Sequence, residues 1–83
     1  MEFIEIQRRL QLLFDQFGGQ LPPEQYEYMK ELVAVGEPGV ALENYSTQLF
    51  EYDVAVPSAL VAEIEELGRA MGLDEKYWLM LRK

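Results

Sequence analysis

The chain has 83 residues, 15 acidic and 7 basic, giving a formal net charge of −8, and it contains neither histidine nor cysteine. A chain of this length holds one domain, and its 49% hydrophobic residues suffice for a small core without covalent staples. The two absences exclude disulfides, thiolate zinc sites, Ser-His and Cys-His nucleophiles and imidazole acid–base work, while the acidic balance disfavours direct contact with nucleic acid and favours a basic partner.

The opening Met1-Glu2 and the Arg8-Arg9 pair are not the basic start and unbroken apolar run of a signal peptide, and no stretch approaches the apolar length of a membrane span. The expectation is a cytoplasmic chain with no membrane partner. At about 100° per residue, Phe3, Ile6, Leu10, Leu13, Phe14 and Phe17 share a sector about 100° wide, which predicts an amphipathic helix ended by Gly18-Gly19. Pro22-Pro23 suits the start of a second helix, with Tyr26, Met29, Leu32 and Val33 at helical spacing and an end near Gly36. After Glu37-Pro38-Gly39 a third helix is expected, with Leu42, Tyr45, Leu49 and Tyr52 on its inner side and an end near Asp53. The alternation from Asp53 to Val56 is too brief for a strand, and Pro57-Ser58 reads as a connector. Helix four follows with Leu60, Val61, Ile64, Leu67 and Met71 inward and Glu65 four residues before Arg69, and Gly72 closes it. Asp74 is the expected cap of a last short helix carrying Tyr77, Trp78 and Leu81. The expected fold is therefore all-α, a small antiparallel bundle of four to five helices in a single domain over residues 1–83.

The charge is unevenly distributed. Between Lys30 and Arg69 there is no base, but Glu31, Glu37, Glu43, Glu51, Asp53, Glu63, Glu65 and Glu66 supply eight acids, leaving seven acids against seven bases elsewhere. Such a run is either an ordinary solvated surface or a lopsided field that steers a basic partner. With Glu43 at zero, Leu42, Tyr45, Leu49 and Tyr52 lie between about 180° and 260°, whereas Glu43, Thr47, Phe50 and Glu51 lie between about 340° and 80°. Phe50 thus sits among carboxylates opposite the inner stripe. It is either an anchor with an electrostatic rim or a ring tucked under the C-terminal helix beside Trp78 or Leu81. Glu37, Glu43, Thr47, Phe50, Glu51 and Asp53 are the candidate partner contacts. Leu12, about 160° from the centre of its own stripe, marks either a homodimer seam or a single exposed leucine.

Catalytic and cofactor chemistry find no support. Glu63, Glu65 and Glu66 point about 60° to 160° apart on their helix, no calcium-loop pattern is present, and the glycine pairs lack the surroundings of a phosphate cradle. The expectation is a non-enzyme with no metal and no cofactor.

The stretch Gly36-Glu37-Pro38-Gly39-Val40-Ala41-Leu42-Glu43-Asn44, with Leu49, Glu51 and the Asp53-Val54 turn, resembles the MafI-family immunity proteins of bacterial polymorphic toxin systems. The likeness continues past Pro57 to Leu67-Gly68-x-x-Met71-Gly72-Leu73, covering residues 21–79, and leaves the first twenty residues outside it. The resemblance implies a small acidic helical antitoxin that binds the C-terminal toxic domain of a secreted or contact-delivered toxin, often a nuclease. On that reading Glu43, Glu51 and Asp53 pair with lysines and arginines of the toxin, and Phe50 supplies a desolvated anchor. The alternative is an acidic helical adaptor or regulatory module binding an unrelated basic protein.

Overall fold

Helix boundaries fall where proline and glycine dictate. In the computed structural model, which describes residues 1–82, α1 spans Phe3–Phe17, α2 Pro23–Ala34, α3 Pro38–Glu51, α4 Ser58–Ala70 and α5 Lys76–Leu79, with a 3-10 turn at Gly18–Gln20. The described residues contain no strand, so the expected all-α bundle is what forms. Pro23 and Pro38 open α2 and α3, where a missing N–H leaves no helical bond unmade. Asp74 caps the final turn, accepting a 2.9 Å hydrogen bond from the Lys76 backbone N–H.

α2, α3 and α4 end in the same motif. Each is followed by one residue in the left-handed region, namely Gly36 at φ +86°, Asp53 at φ +51° and Gly72 at φ +71°. The next N–H then donates back across the turn, from Glu37 to the Leu32 carbonyl at 2.8 Å, from Val54 to Leu49 at 3.0 Å and from Leu73 to Gly68 at 2.9 Å. These bonds satisfy carbonyls that a helix end otherwise leaves orphaned. Glycine adopts this backbone freely at two of the ends, whereas Asp53 does so with a Cβ, which is less favourable.

α3 is the hub, packing against α1, α2, α4 and α5. Its buried Ala41, Leu42, Tyr45 and Leu49 join Leu10 and Phe14 of α1, Met29 and Val33 of α2, and Ile64 and Leu67 of α4 in one continuous core. The Phe14 and Tyr45 rings meet with centroids 5.0 Å apart. Fully burying each large apolar side chain contributes about 1.5–3 kcal/mol relative to leaving it in water, so this shared cluster fixes the orientation of α3. Two helix contacts are close enough to require glycine. A Cβ at Gly68 would stand 2.5 Å from the Trp78 indole, and one at Gly18 would stand 2.3 Å from the Tyr26 ring.

Two residues expected inside lie outside. Phe3 heads the α1 stripe but is half-exposed, because Met1 to Glu5 are all exposed and no element covers the first turn. Tyr52, assigned to the inner stripe of helix three, is 54% exposed. It falls one residue beyond the end of α3, where the turn into Asp53 breaks the helical spacing that the assignment assumed.

Candidate functional site

The outward side of α3 is held in place by its inward side. Because Leu42, Tyr45 and Leu49 are fully buried, Glu43, Thr47 and Glu51 fall on the face turned away from the core. Glu51 is exposed, while Glu43 and Thr47 are half-buried. Phe50 is 55% exposed at the edge of this face. Its ring also lines a small hollow of about 40 Å³ with Leu49, Val54, Met80 and Leu81. Phe50 is thus partly exposed and partly set against the C-terminal segment beside Leu81. Glu37, exposed at the start of α3, lies about 120° round from Glu43 and so stands outside the stripe. Asp53 is exposed on the left-handed turn just past the end of the helix.

One surface residue was missed. Val40 is 44% exposed and falls about 60° from Glu43, between Thr47 and Glu51. It gives the face a second apolar contact near its N-terminal end, and the same helical arithmetic would have found it. From Val40 to Phe50 the face runs roughly 15 Å along α3, carrying apolar groups at both ends and carboxylates between and beside them.

Seven of the eight acids of the 31–68 segment, all but Asp53, divide into two groups. Those of α4 are used within the fold. Arg9 of α1 reaches Glu63 at 2.7 Å and Glu66 at 3.1 Å through Nη2, so the roughly 60° separating these carboxylates on the helix is spanned by one guanidinium. Glu65 turns the other way, accepting from Arg69 at 3.0 Å and from Arg82. The Arg69 guanidinium lies 5.3 Å from the centre of the Trp78 ring, which locks the C-terminal segment onto α4. Hydrogen bonding from Arg69 holds the Glu65 carboxyl below its ordinary value, and Arg9 does the same for Glu66. By contrast, Glu31, Glu37, Glu43 and Glu51 form no ion pair among the described residues. The exposed negative field of this segment therefore contracts from two helices to α3 and its flanks.

The buried side of α3 carries three polar atoms without a hydrogen-bond partner among the described residues: Asn44 Nδ2, Tyr45 Oη and Ser46 Oγ. Burial raises the Tyr45 hydroxyl well above its ordinary pKa, so it stays neutral. No group of three or more His, Cys, Asp or Glu residues among those described is placed to hold a metal ion. Among the described residues no helix is long and apolar enough to cross a membrane. What the arrangement offers chemically is contact: carboxylates that carry no internal cation, beside apolar groups that water does not favour. Comparison of the chain with protein-family models, with curated proteins and with solved structures finds no match.

Proposed function

We propose that this chain is a non-enzymatic immunity protein that acts in the cytoplasm of the producing cell. It binds the toxic C-terminal domain of a cognate polymorphic or contact-delivered toxin, a nuclease, through the outward face of α3. The observation that carries this reading is the pairing of exposed Phe50 and Val40 with Glu43 and Glu51, whose carboxylates have no ion pair among the described residues. A nuclease presents a basic groove to its nucleic acid, and carboxylates on a rigid helix take the place of phosphates there. Charge speeds the encounter, while the apolar groups, once desolvated, slow dissociation. The motif from Gly36 to Asn44 lies across the turn into α3 and along its first half, so the resemblance and the face coincide.

The test is co-expression. The C-terminal domain encoded immediately upstream is produced in a sensitive bacterium with and without this chain, scoring growth and co-purification. Restored growth together with a stoichiometric complex is the expected result. A domain that kills whether or not the chain is present would sink the proposal and leave the adaptor reading, for which capture of a different basic protein would be needed.

A further inference from the structure

The C-terminal segment backs the Phe50 ring, and one carboxylate of α4 clasps that segment. Beyond α5 the backbone goes on turning: the Met80 N–H donates to the Lys76 carbonyl at 3.1 Å, Leu81 to Trp78 at 3.2 Å and Arg82 to Leu79 at 3.2 Å. Residues 76–82 therefore form one short coil, and holding it at two points fixes what lies between. The first point is Trp78, buried in the notch that Gly68 leaves on α4 and lying beneath the Arg69 guanidinium. The second is Arg82, whose Nη2 donates to Glu65 Oε1. The other oxygen of the same carboxylate, Oε2, accepts from Arg69 Nε at 3.0 Å. Glu65 thus ties the end of the segment directly and also holds the cation that covers Trp78. Met80 and Leu81 lie between the two points, and both line the hollow of about 40 Å³ beside Phe50. A cavity that takes a benzene ring has roughly 150 Å³, so this hollow cannot admit the ring while the segment stays clasped.

We propose that Glu65 is a positioning residue for the docking face of α3: by clasping the C-terminal segment it holds the Phe50 ring at the rim of the hollow, pre-organised for a partner. Its part in binding rests on the reading that α3 docks a toxic domain. Glu65 acts through the segment, and a ring with a fixed wall behind it has fewer positions to give up when it is buried by a partner. Release of the clasp opens the hollow and frees the ring, so a complex forms at the same charge-driven rate but comes apart sooner. The neighbouring Glu66 provides the contrast, because its carboxylate goes to Arg9 of α1, away from this segment.

NMR of the whole free chain tests the positioning. Cross-relaxation between the Phe50 ring protons and the methyl groups of Met80 and Leu81 is expected in the wild type and in Glu66→Gln, and should weaken severalfold in Glu65→Gln and in Arg82→Gln, with helical circular dichroism confirming that each variant is folded. Cross-peaks of wild-type strength in both Glu65→Gln and Arg82→Gln would overturn the proposal. Dissociation from the upstream-encoded toxic domain tests the consequence. Glu65→Gln and Glu66→Gln remove the same charge, so their association rates should match, while Glu65→Gln should dissociate about threefold to tenfold faster. In a chain that already carries Phe50→Ala, adding Glu65→Gln should change nothing further, since a residue that acts through the ring has no effect once the ring is gone. An effect of Glu65→Gln that persists undiminished beside Phe50→Ala would also overturn the proposal. A toxic domain that does not bind the wild type defeats the docking reading alone, and the ring cross-peaks still decide whether Glu65 positions Phe50.

Discussion

Two sets of glutamates of similar number, on neighbouring helices, meet different fates in this molecule. Glu63, Glu65 and Glu66 of α4 collect Arg9 from the N-terminal helix, Arg82 from the C-terminal end and Arg69 from the last turn of α4 itself. Glu37, Glu43 and Glu51, at the start of α3 and along it, collect no cation among the described residues. The difference comes from topology rather than from the side chains. α4 lies where the two ends of the chain return, and those ends carry the bases. α3 is the central helix, and no cation among the described residues pairs with Glu43 or Glu51 on its outer side. Acid count along a sequence therefore overstates an acidic surface wherever the fold brings its own cations back, and locates it correctly where none return.

The comparison can be broken most forcefully on the α4 side. Gly68→Ala forces a Cβ into the Trp78 ring and should lower the urea-measured stability by about 1–2 kcal/mol, overpacking outweighing the better helix propensity of alanine. Arg9→Ala removes the cation shared by Glu63 and Glu66. The Arg9 side chain is largely covered but its partners are partly exposed, so a loss of about 1 kcal/mol is expected after solvent screening.

Acid acts on the same seam. Glu65 and Glu66 are held below ordinary carboxylate values by their arginines. Their contribution is therefore complete above the unfolded-state value and is lost as pH falls through the lower folded one. Thermal unfolding midpoints should decline from about pH 5 downward, through the ordinary glutamate range near pH 4, and the double variant Glu65→Gln with Glu66→Gln should flatten that decline. An unchanged pH profile in the double variant would show that these pairs do not hold α4.

On α3 the expected changes in stability are smaller. Tyr45→Phe deletes a buried hydroxyl without a partner among the described residues and should leave stability within about 0.5 kcal/mol or raise it by up to about 1 kcal/mol, as read in urea denaturation. A loss well beyond that would reveal a hydrogen bond to the Tyr45 hydroxyl.

Most of the bundle was legible before the structure. Proline at helix starts, glycine at helix ends and the inner stripes of α1, α2 and α4 follow from local rules, and α1 ends against Gly18-Gly19 as its periodicity implied. Tyr52 was misplaced because helical spacing was carried one residue past the helix, and Phe3 because periodicity does not say whether a neighbour covers the first turn. The outward position of Phe50 was legible from its angle on the helix, whereas its contact with the hollow beside Met80 and Leu81 was not, since those residues are about thirty positions away in the chain. The same holds for Arg9, whose partners lie 54 and 57 residues along. The unevenness of the charge was readable from the sequence; which carboxylates remain unclaimed depends on these long-range returns.

The most direct test of the central claim is the rate at which the chain associates with the upstream-encoded toxic domain, for the wild type and for Glu43→Lys with Glu51→Lys, at low and at moderate salt. Both substitutions lie on the solvent side of α3 and should change stability by no more than about 0.5 kcal/mol. The account predicts that the double variant associates about tenfold more slowly or worse at low salt, and that the salt dependence of the wild type is largely lost. An association rate and salt dependence equal to those of the wild type would contradict it and move the docking surface off α3.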